Sequence, residues 1–141
     1  MLAYLAVAAL MALALGAAYV RLAPSDPALW HVAPVAEGTM GEVARKMGSA
    51  SLRLDLTTGD PGEVLQRLDT IALASPRTTR LAGSVEDERI TWVTRTPLWG
   101  FPDYTTAEAR ADGVYIHARQ RFGTDDWGVN AARLQDWLSR L

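Results

Sequence analysis

Residues 1–20 constrain this chain more than any others: they hold eight alanines, five leucines and no charged side chain, and the first unambiguous charge is Arg21. Twenty helical residues rising about 1.5 Å each cover roughly 30 Å, the thickness of a bilayer's hydrocarbon core. A helix that is apolar on every side has no polar face to offer water, and a small soluble domain has no room to bury it. Tyr4 and Tyr19 stand near its two ends, where aromatic belts meet the headgroups. The expectation is a transmembrane anchor over residues 1–21 that takes the lipid bilayer as its partner through residues 1–20.

Two questions stay open at this level. Small residues at Ala12 and Ala14, or at Gly16 and Ala18, resemble a signal-peptidase site, yet no lysine or arginine precedes the apolar run. The lone Arg21 after the run favours a cytoplasmic domain by the positive-inside rule. Ala8, Ala12 and Gly16 form a small-residue stripe on which a second helix could pack.

The remaining chain suffices for one domain with a core of its own. Charged residues make up 21% and hydrophobic ones 49% of the whole, which is globular rather than disordered composition. A net charge of −2 and a pI near 5.6 speak against a nucleic-acid partner. The sequence has no cysteine, hence no disulfide, thiolate zinc site or iron–sulfur cluster. With only His31 and His117 available, no metal site is expected. No cofactor is expected either, since phosphate-loop and dinucleotide fingerprints are both missing.

Residues 22–49, with Pro24, Pro27 and Pro34, read as a tether, with Trp30 at the headgroup level or docked on the domain and a short amphipathic turn near 41–47. The domain follows at 50–141. Residues 51–56 alternate as a half-buried strand, and Thr57-Thr58-Gly59 breaks it. Asp60-Pro61-Gly62-Glu63 opens a helix whose apolar face is Val64, Leu65, Leu68, Ile71 and Ala72. Strands over 78–85 and 89–96 meet at Glu86-Asp87-Glu88. A turn between Pro97 and Pro102 holds Trp99-Gly100-Phe101. A second hairpin pairs 104–110 with 113–122 through Asp112-Gly113. Leu134, Trp137, Leu138 and Leu141 mark a final helix, with Asn130 as its expected cap. The expected fold class is α+β: an antiparallel sheet of about five strands with two helices packed on one face. Trp92, Phe122 and Trp137 are the large candidates for that interface.

The run Ile90-Thr91-Trp92-Val93-Thr94-Arg95, then Asp103-Tyr104, then residues 116–133, resembles the domain-of-unknown-function 1499 family. The family signature has a strand carrying serine and arginine. Glycine, a polar residue, aspartate, an aromatic residue and Gly-Val-Asn follow, with arginine three residues further on. It maps onto Arg121, Gly123, Asp126, Trp127, Gly128, Val129, Asn130 and Arg133, and the similarity spans roughly residues 60–141. His117-Ala118-Arg119 stands where members often carry serines, and the cysteine pair of some members is missing. The resemblance implies a small bacterial envelope protein behind a signal or anchor segment, on the periplasmic side of the cytoplasmic membrane, with no established activity.

Two polar groups qualify as candidate sites. Alternation along 114–122 puts Tyr115, His117, Arg119 and Arg121 on one sheet face, where Arg95 can join them. Such a row could grip a phosphate or carboxylate, or be a solvated face paired with Asp103 or Glu108. The loop 123–130 could offer helix-start amides to an anion, or serve only to fold a turn in which Asp125 and Asp126 would repel one. The function expected is a non-catalytic, membrane-anchored domain binding a protein partner or a small amphiphile. The alternative is a small hydrolase using His117 with Asp103 or Asp126.

Overall fold

The computed structural model describes residues 1–55 and 59–141; the break expected at Thr57-Thr58 and the last residue of the expected 51–56 strand lie outside the described residues. The elements run α1 (Leu2–Leu22), α2 (Pro27–Trp30), β1 (Ala44–Lys46), β2 (Ser49–Asp55), α3 (Pro61–Leu73), β3 (Thr78–Ser84), β4 (Arg89–Arg95), β5 (Pro102–Arg110), β6 (Gly113–Gln120) and α4 (Val129–Ser139).

The fold is α+β. Its antiparallel sheet has six strands rather than five, in the order β1-β2-β6-β5-β4-β3. The extra strand, β1, lies where an amphipathic turn was expected. It is three residues long and pairs at the edge, Ala44 opposite Ser51 and Lys46 opposite Ser49. A segment so short has no alternation to betray it.

Helices α3 and α4 pack on one sheet face. Leu52, Ile90, Trp92, Ala107, Val114 and Ile116 meet Leu65, Leu68, Ala72, Leu134 and Trp137 there, all fully or almost fully buried. Asp60 opens α3 as expected, its side chain accepting the amide of Gly62 at 3.3 Å with Pro61 in the first turn. Trp92 and Trp137 meet edge to face at 5.5 Å. Phe122 does not join them. Strand β6 ends at Gln120, so the alternation stops short of Phe122, which packs instead against Tyr19 and Phe101 with ring centroids 6.2 and 6.1 Å away.

One buried carboxylate ties the layers together. Asp69 lies on the apolar face of α3, accepts the indole N–H of Trp92 at 2.8 Å and pairs with Arg80 of β3. Its acceptor capacity offsets the cost of burying the indole nitrogen.

The opposite sheet face is covered by residues 23–37. Trp30 stacks on the fully buried Tyr104 at 4.0 Å and 15°. His31 Nδ1 and Thr91 Oγ1 are 2.9 Å apart, and Ser25 and Tyr104 share a hydrogen bond of 2.8 Å. The proline-rich stretch is thus laid down as a strap.

Asp69→Ala should lower stability by about 2–3 kcal/mol, because it strands the Trp92 N–H and the Arg80 charge. Chemical unfolding of the full chain in detergent micelles checks this; Asp69→Asn, which keeps an acceptor for Trp92, should lose less.

Candidate functional site

The row of residues on the outer face is present, but its members do not converge. Tyr115 donates to Asp112 at 2.6 Å and lies beneath the guanidinium groups of Arg53 and Arg110. Arg119 donates to the carbonyl of Trp30 at 2.7 Å, and Arg121 to that of Pro24 at 2.7 Å. Arg95 donates to the carbonyl of Gly100 at 3.0 Å. The three arginines that could have gripped an anion hold the chain's own carbonyls. Glu108 is matched by Arg89 and Arg110 instead of a member of the row.

His117 lines a small cavity of about 210 Å³ with Val35, Glu37, Lys46 and Ser51. Its Nδ1 is buried without a hydrogen-bond partner among the described residues. Burial, and then the Arg119 charge, hold its pKa below the ordinary histidine value. His31 is shifted the same way by burial and Arg89.

The expected hydrolytic pairs are not assembled. His117 is on the outer face, whereas Asp103, opposite Gln120 in the β5–β6 ladder, is on the helix-bearing face and pairs with Arg133 at 3.1 Å. Asp126, two residues before the cap position, is occupied at the start of α4: its carboxylate accepts the amides of Gly128 at 3.1 Å and Asn130 at 2.9 Å. These bonds outweigh the effect of burial and hold its pKa below the usual carboxylate value.

Asn130 is therefore not the cap. Gly128 takes that position with φ +86°, and a Cβ there would crowd the Arg45 guanidinium at 3.2 Å. Asn130 is fully buried in the first turn, and its side-chain oxygen accepts from Arg133 at 2.5 Å. Arg133 thus links Asn130 to Asp103, so the motif residues Asp126, Gly128, Asn130 and Arg133 form one network that fixes the start of α4 against β5. Asp103 still has a raised pKa, because burial outweighs the opposing Arg133 charge.

Beside this network opens a cavity of about 320 Å³. Its apolar wall is Phe101, Phe122, Trp127 and Val129, and its polar side is Gln120, Asp103, Asp125 and Asp126. Gly123 forms part of its rim. Trp127, at φ +56°, is 86% exposed. Aromatic faces beside carboxylates suit a molecule with an apolar body and a cationic head. Among the described residues, no group of three or more His, Asp or Glu side chains is placed to hold a metal.

Residues 40–141 match the family described as protein of unknown function (DUF1499), and the chain belongs to that family. The match begins some twenty residues earlier than the motifs alone indicate, taking in β1 and β2. No curated protein and no solved structure matches the chain.

Arg133→Ala should cost about 3 kcal/mol at neutral pH, since it leaves the Asp103 carboxylate buried and unpaired. Asp103 then ionises less readily folded than unfolded, so the deficit should shrink as the pH falls from about 7 to 5. Unfolding curves of variant and parent across that range test both statements. The histidines act in the opposite sense. Each binds its proton more readily unfolded, so their contribution is complete above an ordinary pKa of about 6.5 and declines below it. The melting temperature should fall between about pH 7.5 and 5.5, and the profile of a His31→Gln, His117→Gln variant should be flatter.

Proposed function

We propose that this protein is a membrane-anchored binding domain of the bacterial cell envelope, without catalytic activity of its own, that holds a small amphiphile in the cavity beside α4. The observation that carries the reading is the pairing of this cavity with α1. All 21 residues of α1 lie outside the core, and the helix is long and apolar enough to cross a bilayer. Its last turn is joined to the domain, with Arg21 donating to the carbonyl of Leu98 at 2.6 Å and to that of Trp99 at 3.3 Å. The cavity therefore opens beside the exit of the anchor, within reach of molecules dissolved in the membrane. Between the two ligand kinds expected from the sequence, this geometry favours the small amphiphile over a protein. Asp125 and Asp126 favour a cationic or zwitterionic head over an anionic one.

The domain is assigned to the periplasmic side of the cytoplasmic membrane. That assignment rests on what membership in the family implies, and it is weighed against the single basic residue that follows α1.

The full chain should stay in the membrane pellet after alkaline carbonate washing. A C-terminal alkaline phosphatase fusion should be active in whole cells. Titrating the detergent-solubilised chain with a lysophosphatidylethanolamine should shift the tryptophan emission, and Trp127→Phe should remove most of that shift. Release by carbonate, an inactive fusion, or an emission shift untouched by Trp127→Phe would count against the anchor, the orientation and the cavity respectively.

A further inference from the structure

The segment 97–101 joins β4 to β5 and carries two apolar side chains that the domain leaves uncovered, Leu98 at 70% and Trp99 at 42% exposure. The backbone of this loop is held from both sides: Arg21 binds the carbonyls of Leu98 and Trp99, and Arg95 binds that of Gly100. A loop pinned this way presents its side chains in one orientation.

Their position along α1 is what matters. Trp99 and Phe101 face Ala12, Leu13, Gly16, Ala17 and Val20 across a groove of about 370 Å³. Trp99 thus stands beside the C-terminal half of the apolar span, on its N-terminal side of Arg21. Phe122 touches Tyr19 of the same helix, and the exposed Trp127 shares a cavity wall with Phe101 and Phe122. In water, these uncovered aromatic and aliphatic groups would be a cost without a return. Indole rings favour the boundary between headgroups and acyl chains, with the ring in the apolar layer and the N–H toward water. Arg21 and Arg95 both bind carbonyls of this loop and Arg121 lies over the Phe122 ring, so fixed positive charge borders the uncovered aromatic groups, and positive charge is favoured beside lipid phosphates. The opposing charges on the cavity beside Trp127 are each matched: Asp125 is accompanied by Arg45 at 3.8 Å, Asp126 accepts the amides of Gly128 and Asn130, and Asp103 pairs with Arg133.

We propose that the domain is seated directly on the bilayer, with Leu98, Trp99 and Trp127 immersed at the headgroup boundary around the exit of α1. The groove between α1 and Trp99 is then filled by a lipid acyl chain. This rests on the reading of α1 as a membrane span and adds a second, independent contact with the lipid. It also gives the Ala12–Gly16 end of the small-residue stripe an occupant other than a second helix.

The test places the full chain in phosphatidylcholine vesicles whose acyl chains are brominated near the headgroup end. Bromine quenches only tryptophans close to it, and Trp92 and Trp137 are fully buried in the domain core. Tryptophan emission of the parent should be quenched, and the Trp99→Phe, Trp127→Phe variant should lose most of that quenching. Both replacements are mild, exposed and aromatic for aromatic, so the fold is kept. A vesicle-borne chain with no quenching, or with quenching that the double variant retains, overturns the seated geometry while leaving the anchor standing. A chain that fails to enter the vesicles overturns the anchor, and the seated geometry with it.

Discussion

Arg110, Arg119 and Arg121, all on the outer face of the sheet, donate to the carbonyls of Pro34, Trp30 and Pro24. These three bonds lay the segment after α1 against the sheet, and the bonds of Arg21 to the carbonyls of Leu98 and Trp99 hold the end of α1 itself. Their chemistry is complementary: guanidinium groups offer donors and no acceptor, and a proline-rich segment offers carbonyls with few competing N–H groups. The burial of Arg119 lowers its pKa, so holding the charge there has a cost, which the charge-assisted bond to Trp30 offsets. Trp30 contributes a second contact by stacking on Tyr104, with the Arg119 guanidinium 5.3 Å from its ring centre.

The strap divides the labour between the two faces of the sheet. The helix-bearing face carries the hydrophobic core with polar links set into it, from Asp69 to Trp92 and Arg80 and from Arg133 to Asp103 and Asn130. The strap-bearing face is polar, with Thr91, Thr106 and Tyr104 buried beneath residues 23–37. Neither face is left for water alone. The cavity proposed to hold a ligand lies at the end of the sheet, where β5 begins and β6 gives way to the motif loop.

Local signals were legible where one element decided the outcome. Asp60-Pro61 opens α3, the alternation from Val114 to Ala118 sets which side chains of β6 face the helices, and Leu134 with Trp137 marks the buried stripe of α4. What escaped was decided over long distances or between equals. The carbonyls that satisfy Arg119 and Arg121 lie 89 and 97 residues away, and no spacing rule links them. Asp126 and Asn130 both carry side chains able to accept first-turn amides; the left-handed backbone at Gly128 settled the choice by starting α4 at Val129. Asp69 was readable in principle, being a carboxylate set between Leu65 and Ala72 on an apolar stripe, opposite a strand tryptophan in need of an acceptor. The candidate arginines were assigned to the right face, but that face is occupied by a segment whose composition says only that it is irregular.

A docked strap also limits how far the molecule can act. The 21 residues from 23 to 43, if extended and free, would let a domain roam about 70 Å from its anchor. Held at Pro24, Trp30 and Pro34, they grant almost none of that range. With α1 in a bilayer, as proposed, a domain leashed so tightly could not fish for cargo in the surrounding solvent, and an amphiphile bound beside α4 would have to arrive by lateral diffusion.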